Sequence, residues 1–268
     1  MRRETWIDEL VCELRARGVP PGPAAEAAVE AEGFLADGDV SALDTFGTPA
    51  AYAALVAEAL DPSEPRPRAP GPLRVRATGI CRSHRRRPVL AEADIELRAG
   101  EVVALVGPNG VGKSTLLRIL AGLEAADAGI VDVRGSVGYV PQQDGLWDHL
   151  DPEEHFTLFG TGRGMTPHQA RSAGRRWAEQ LGWDVRGAPV TRLLSGGTRQ
   201  KLSVVLGLLG EPDVLLLDEP YQGLDIASTQ RFWELVWTWG DGGGAAIVVT
   251  HTTDVLTRAT RTIELTPP

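Results

Sequence analysis

Hydrophobic and polar positions follow two different patterns along the chain. In residues 1–62 apolar side chains recur at three- and four-residue intervals, which predicts three short amphipathic helices. Trp6 and Leu10 mark the apolar side of the first helix, and Pro23 begins the second. Thr48 is a suitable capping residue for the third. We therefore expect residues 1–62 to form a small all-α bundle, an accessory domain without catalytic residues.

A second pattern begins after residue 72. Short runs rich in Val, Ile and Leu, each with the length of a strand, alternate with helix-like segments. The runs are LRVRA, EVVALVG, SVGYV, VLLLDE and AAIVVT. Strands and helices in alternation form a mostly parallel sheet flanked by helices. Residues 73–268 are therefore predicted to form an α/β domain, and the proline-rich residues 63–72 a semi-rigid linker.

Charge is distributed unevenly between these two parts. The 268 residues carry a net charge of −9. Residues 1–62 hold 12 acidic and 4 basic residues, a balance of −8, which leaves 24 acidic and 23 basic residues, or −1, for the remainder. An acidic chain lacks the basic surface that nucleic acids require, so we expect no nucleic-acid partner. The acidic face is either an ordinary solvated surface or a docking face for a basic partner.

The apolar runs are too short for direct insertion into a membrane. The longest last about seven residues, whereas a membrane-spanning helix needs about twenty. The start MRRETWIDEL has acidic residues where a secretion signal needs an apolar run, and two cysteines are too few for a disulfide framework. We expect a cytoplasmic protein that reaches the inner face of the cell membrane only through a partner.

The clearest chemical motif lies between a predicted strand and a predicted helix. Its glycines allow successive backbone N–H groups to converge on phosphate oxygens in front of the positive end of the helix. Lys113 can reach the β- and γ-phosphates of a nucleotide, and the Ser114 hydroxyl can bind Mg²⁺. We call this motif the phosphate loop. Its candidate nucleotide-binding residues are Gly107, Pro108, Asn109, Gly110, Val111, Gly112, Lys113, Ser114 and Thr115.

Two acidic residues end the strand VLLLDE. Asp218 offers a hard oxygen ligand of the kind that Mg²⁺ prefers. Glu219 could accept a proton from the water that attacks the γ-phosphate, or orient that water. Acidic strand ends are common in α/β proteins, but together with the phosphate loop this pair predicts a site for ATP and Mg²⁺.

The order of these motifs resembles the nucleotide-binding domain of the ATP-binding cassette (ABC) ATPases. After the phosphate loop come YVPQQ, LSGGTRQ, VLLLDEP, GLD and VVTH, in that family's order. The resemblance implies a P-loop NTPase fold with a helical subdomain, and hydrolysis of ATP. It implies that Gln142 contacts Mg²⁺ or the attacking water and that His251 contacts the γ-phosphate. It also makes His84 the candidate for stacking on adenine.

The LSGG segment is a second candidate phosphate site. Ser195, Gly196 and Gly197 precede a helix predicted at about residues 198–209, whose positive end suits an anion. The resemblance implies that this surface covers the γ-phosphate of ATP bound to a second copy, with Asp225 at the same interface. A chain with one set of motifs would then act as a homodimer and drive an integral membrane permease on another chain.

Several positions depart from the commonest pattern of the family. Thr198 stands where glutamine is usual, and Tyr221 and Gln222 replace the more usual Thr and Ser of EPTSGLD. Tyr221 and Gln222 either adjust the dimer interface or are neutral.

Trp147 either contacts the permease or packs under its own helical subdomain.

Three functions are compatible with these motifs. The favoured one is the ATP-hydrolysing subunit of a transporter. Export is preferred over import because the short spacing between the phosphate loop and Gln142, together with the following segment HFTLFG, resembles exporters of drugs, peptides or lipids more than importers. The alternatives are a non-transport ABC ATPase and a regulatory ATPase whose N-terminal bundle docks a partner. The N-terminal segments WIDELVCELRARG and DTFGTPAAYAALVAEAL together resemble the small helical HAAS-type signalling domains. The sequence does not identify a cargo.

Overall fold

The computed structural model describes two compact units, Met1–Ala69 and Pro70–Pro268. Their boundary falls within the segment predicted to be a linker. The described residues are 3–17, 19, 24–25, 27–28, 31, 48–53, 71–85, 87–142, 145–250 and 253–267.

The N-terminal unit is built on the helix α1 (Arg3–Ala16). Its apolar side chains Trp6, Leu10 and Leu14 are fully buried, as their helical spacing predicts. The ring of Tyr52 lies 5.7 Å from the ring of Trp6. Aromatic and aliphatic packing therefore forms a small core of its own in this unit.

The other two predicted N-terminal helices are described only in part. Residues 49–53 are helical, and the Ala51 backbone N–H donates to the Thr48 hydroxyl oxygen at 3.2 Å, which is the predicted cap. Residues 24, 25, 27, 28 and 31 are also helical. The remainder of both predicted helices, with Pro23, lies outside the described residues.

The second unit alternates strands and helices. In chain order they are β1 (Leu73–His84), β2 (Arg87–Arg98), β3 (Val102–Val106), α2 (Lys113–Leu120), β4 (Ala128–Val133), β5 (Val137–Val140), α3 (Pro152–Gly162), α4 (Pro167–Gln180), α5 (Gly196–Leu208), β6 (Val214–Asp218), α6 (Ile226–Asp241), β7 (Ala245–Val249), α7 (Thr253–Arg258) and β8 (Arg261–Glu264). No helix among the described residues combines the length and the apolar character needed to cross a membrane.

A five-stranded parallel sheet forms the centre of this unit, in the order β5-β6-β7-β3-β8. β6 and β7 are buried on both faces, which explains their unbroken runs of Val, Leu, Ile and Ala. The predicted α/β architecture is therefore confirmed. The structure adds an antiparallel sheet in the order β2-β1-β4, which the sequence analysis did not predict.

Side chains alternate across the parallel sheet and divide the core into two layers. On β6, Leu215 and Leu217 pack with the helices α3 to α6, whereas Val214 and Leu216 pack with α2 and the antiparallel sheet. The two-residue period therefore directs Asp218, the last residue of β6, toward the face that carries α2. The fold thus brings the end of β6 to the phosphate loop.

The helices α3 and α4 form a subdomain with well-defined ends. Each begins with a capping box, made by Asp151 and Glu154 in α3 and by Thr166 and Gln169 in α4.

Between the two helices Gly174 lies against the ring of Phe156, so closely that a Cβ atom there would be 2.3 Å from the ring. This contact lets the two helices pack at short distance.

Replacing Gly174 with alanine should destabilise the chain by about 1–3 kcal/mol, because the methyl group overpacks the Phe156 ring. Urea unfolding of the full chain measures this change. The matched control is Gly162→Ala at the exposed end of α3, where a Cβ meets no atom within 4 Å. That control should be neutral or slightly stabilising, and an equal loss of stability in both variants would contradict the packing argument.

Candidate functional site

The phosphate loop joins β3 to α2 in the conformation that its glycines allow. Gly112 precedes α2 with φ 101° and ψ 11°, a left-handed conformation that suits glycine. A Cβ at this position would lie 2.7 Å from the Val89 carbonyl oxygen and from a Leu90 methyl group. The start of α2 can therefore approach β2 closely, and its unpaired backbone N–H groups face the loop.

Lys113 is held inside the loop by the main chain. Its ammonium donates to the carbonyl oxygens of Gly107 at 2.6 Å and Pro108 at 3.0 Å, and the residue is only 6% exposed. Because both acceptors are uncharged, these bonds fix the ammonium without neutralising its charge. The loop thus presents a positive charge beside the positive end of a helix.

A cavity of about 670 Å³ opens in front of the loop and brings most of the predicted residues together. Its lining includes Asn109, Gly110, Gly112, Lys113, Ser114, Thr115, His84, Gln142, Asp218 and Glu219. Val111 is buried behind the loop. The volume and the positive wall suit a phosphorylated small molecule.

Asp218 is the most deeply buried acid of this cavity, with 2% of its surface exposed. Burial raises the pKa of its carboxyl group above the ordinary value for aspartate, and the neighbouring charge of Glu219 adds to this effect. The hydrogen bond from the Ser114 hydroxyl and the charge of Lys113 oppose it. The carboxylate is therefore an unfavourable charge in the free chain, which a bound cation would relieve.

Glu219, the residue after Asp218, has an unusual backbone conformation, and its carboxylate accepts hydrogen bonds from two side-chain amides. Its φ is 47°, in the left-handed region, and it is 8% exposed. The side-chain amide of Gln142 donates to its Oε2 atom at 3.1 Å, and the amide of Gln222 donates to the same oxygen. The carboxylate is thus restrained at the wall of the cavity.

Gln222 is a cavity residue that the sequence analysis missed, because it considered this position only for the dimer interface. The signal that could have identified it is its three-residue separation from Glu219 across a turn, closed by the Gln222 N–H to the Glu219 carbonyl oxygen at 3.2 Å. Beside it, the Tyr221 hydroxyl accepts a hydrogen bond from the Thr250 hydroxyl at 3.2 Å. The turn is therefore attached to the end of β7.

His84 lies at the side of the cavity, at the end of β1. Its Nε2 atom is 3.4 Å from a carboxylate oxygen of Glu124, which also accepts a 2.7 Å hydrogen bond from Arg82. The imidazole is about half exposed. Its position is compatible with stacking on a base, whereas His251, the other predicted histidine, lies outside the described residues.

The LSGG residues do not line this cavity. Ser195 caps α5, and its Oγ atom accepts the Thr198 N–H at 3.2 Å. The helix therefore begins at Gly196 and ends at Leu208, which corrects the predicted range of 198–209. The cap explains the difference, because it allows Gly196 and Gly197 to join the first turn.

Asp225 caps α6 outside the same cavity. It accepts the Ser228 N–H at 2.8 Å and the Ser228 hydroxyl at 2.7 Å, and these two bonds lower the pKa of the Asp225 carboxyl. Two large apolar side chains next to these capping motifs are exposed, Leu193 at 66% and Ile226 at 82%. Both motifs therefore border accessible apolar surface.

A second cavity of about 580 Å³ lies along α3 and is lined by Trp147 and by Leu158. Trp147 is 59% exposed, so its ring is not buried under the helical subdomain. The fully buried His155 ring fixes its backbone, since Nε2 accepts the Trp147 N–H at 3.0 Å while Nδ1 lies 2.8 Å from the Asp151 carbonyl oxygen. The indole is thus displayed on a rigid support.

Replacing Asp218 with asparagine should raise the melting temperature of the nucleotide-free chain by a few degrees at pH 7. The raised pKa means that the folded chain binds this proton more tightly than the unfolded chain, so the ionised carboxylate costs stability at neutral pH. The gain should shrink as the pH falls toward about 4, the ordinary range of aspartate. Differential scanning calorimetry at several pH values measures it.

Asp225→Asn provides the matched control for this prediction. Hydrogen bonds from Ser228 lower the pKa of Asp225, so its charge stabilises the folded chain and its removal should lower the melting temperature. An equal rise in both variants would show that burial of Asp218 is not the cause.

Comparison with known proteins agrees with this geometry. The family model described as ABC transporter matches residues 90–222. The lipoprotein-releasing system ATP-binding protein LolD of Gluconobacter oxydans is 35% identical over 195 residues, which cover 66% of this chain and 84% of LolD. The organic anion transporter ABCA8A of Mus musculus is 37% identical over 164 residues, which cover 58% of this chain.

The matches differ in how much of each protein they include. The chain spans 10% of the mouse transporter's length, so it corresponds to one part of that protein. A dimeric structure of a bacterial ABC transporter cassette superposes with a TM-score of 0.67 at 24% identity, over 71% of this chain and 94% of the cassette. The fold is therefore that of an ABC cassette. The chain belongs to the ABC transporter family and contains its ATP-binding domain, an ATPase domain.

Proposed function

We propose that this chain is the ATP-hydrolysing subunit of an ABC transporter and that it energises a separate membrane permease. The observation that carries the proposal is the convergence of Lys113, Ser114, Gln142, Asp218 and Glu219 on one cavity. A phosphate ligand, a divalent cation and a water could all be held there. The match to LolD over most of its length supports the same function.

The phosphate loop would bind the nucleotide through its main chain. Backbone N–H groups at the start of α2 and the ammonium of Lys113 offer donors and positive charge to the β- and γ-phosphates. The half-exposed His84 would stack on the adenine from the side of the cavity. These contacts supply affinity for any nucleoside triphosphate, and His84 adds the contact to the base.

The donor set fits Mg²⁺. The carboxylate of Asp218, the hydroxyl of Ser114 and the amide oxygen of Gln142 are hard ligands at the cavity wall. The remaining ligands of the ion would be waters and phosphate oxygens. When bound, Mg²⁺ would neutralise charge that develops on the transferred phosphoryl group.

Glu219 is the proposed general base. It would orient the attacking water and accept its proton, at the end of the strand next to Asp218. Gln142 would help to place the same water, and His251 would contact the γ-phosphate. The hydrogen bond that the Gln142 amide donates to the Glu219 carboxylate supports a shared role of the two side chains in placing this water.

A second copy of the chain would complete each site. The capping motifs at Ser195 and Asp225 lie outside the cavity and border the exposed side chains Leu193 and Ile226, which supports a surface for another protein. With one set of motifs in the sequence, the partner would be an identical chain whose Ser195, Gly196 and Gly197 cover the γ-phosphate. Hydrolysis would then remove the contact that holds the two copies together.

Replacing Glu219 with glutamine should slow ATP hydrolysis by at least about a hundredfold while ATP binding persists. ATP would then remain between two copies, so size-exclusion chromatography with ATP and Mg²⁺ should show a stable dimer. Lys113→Met is the control, because it loses the ammonium that holds the phosphates and should remain monomeric. Hydrolysis by Glu219→Gln at the parental rate, or a monomer at every ATP concentration, would contradict the proposal.

The cavity along α3 is the proposed contact with the permease. Its exposed indole, Trp147, follows Gln142 by five residues, so a partner seated there would act close to the nucleotide. The permease would hold the chain at the cytoplasmic face of the membrane, and the proposed direction is export. Residues 1–62 are proposed to be an accessory domain that docks a further partner, joined by residues 63–72 to the cassette at 73–268.

Trp147→Ala should weaken binding to the permease at least about tenfold without changing the basal ATPase rate of the isolated chain. Co-purification of the tagged chain with membrane proteins from its own cells measures the binding. Leu123→Ala is the matched control, since Leu123 is also a large exposed apolar residue, at 62%, but lies outside this cavity. Loss of the permease with both variants, or with neither, would contradict the assignment.

A further inference from the structure

We infer that Gln222 is a positioning residue for Glu219, and this inference rests on the proposed function of Glu219 as the general base. Both Gln142 and Gln222 donate an amide hydrogen to the Oε2 atom of Glu219. Gln222 also lines the cavity itself. The more usual EPTSGLD form of the motif has serine at this position, and serine has no amide to donate.

The turn that carries Gln222 is held from two sides. Buried Gln200, on α5, donates its amide to the Pro220 carbonyl oxygen at 2.9 Å. On the other side, the Tyr221 hydroxyl accepts from Thr250 at the end of β7. The first contact holds the backbone before Tyr221 and the second holds the Tyr221 side chain, and the chain then turns at Gly223 with φ 79°. The side chain of Gln222 is thereby directed back toward Glu219.

The two amides differ in how firmly they are attached. Gln142 lies two residues beyond the end of β5, near the proposed contact with the permease. Gln222 belongs to the same anchored turn as Glu219 and reaches it within three residues. When Gln142 turns to the water or to Mg²⁺, Gln222 still holds the carboxylate.

Holding the carboxylate matters because of its freedom of movement. A glutamate side chain has several rotatable bonds, and proton transfer requires its oxygen to lie within hydrogen-bond distance of the water. Loss of one hydrogen bond to a charged group corresponds to about a tenfold change in rate when that bond orients the reacting atom. Binding of ATP, in contrast, depends on the phosphate loop, to which Gln222 makes no hydrogen bond that the described residues record.

The test compares Gln222→Met with the parental chain in steady-state ATP hydrolysis. Methionine keeps the length and approximate volume of glutamine but has no amide donor. We expect kcat to fall about tenfold while KM for ATP changes less than about twofold. The matched control is Gln180→Met at the exposed end of α4, which should leave both constants unchanged.

Two further measurements separate the possible failures. A melting temperature and an ATP affinity like those of the parent show that Gln222→Met is folded. An unchanged kcat, or a raised KM alone, would overturn the positioning role even if Glu219→Gln is inactive. Absence of ATP hydrolysis in the parental chain would instead overturn the proposed function, and the inference with it.

Discussion

The buried charge of Asp218 is the constraint that organises the site. β6 lies between β5 and β7 in the sheet, so its last residue is removed from water while its side chain faces α2. The Ser114 hydroxyl and the Lys113 ammonium offset part of this cost, as the opposing effects on the pKa of Asp218 indicate. The free chain is thus less stable than its packing allows, and a cation bound at this point would relieve the cost.

The position of α2 depends in turn on the antiparallel sheet. Gly112 allows α2 to begin in contact with Val89 and Leu90 on β2, and β1 ends at His84 beside the cavity. A side chain at residue 112 would push the helix away from β2 and its N-terminus away from the cavity. The antiparallel sheet is therefore part of the nucleotide site, since it sets the approach of the phosphate-binding helix and forms one wall.

Local patterns in the sequence predicted the parts of this site that local physics determines. The acidic end of the strand VLLLDE and the strand-loop-helix order at Lys113 were sufficient to predict that Asp218 and the phosphate loop share one site. Pairing of β1 with β4 joins distant segments, whereas β1 and β2 are neighbours in sequence whose mixed polarity gave no simple signal. The three-residue separation of Gln222 from Glu219 allows their contact, but the contact also depends on the left-handed backbone of Glu219, φ 47°, which the spacing does not specify.

Glu219 connects the two surfaces at which the proposed transporter meets its partners. One of its amide donors, Gln142, lies after β5 and five residues before Trp147, which lines the cavity along α3. The other donor, Gln222, lies three residues before Asp225, which caps α6. A displacement at either surface would reach the same carboxylate oxygen through a short stretch of backbone and one hydrogen bond. Coupling over such a short path needs no large rearrangement of the core, because a shift of about 1 Å is enough to break a hydrogen bond or misplace a general base. Under the proposed function, the carboxylate is therefore the point at which docking of a permease and closure of a dimer would both control hydrolysis.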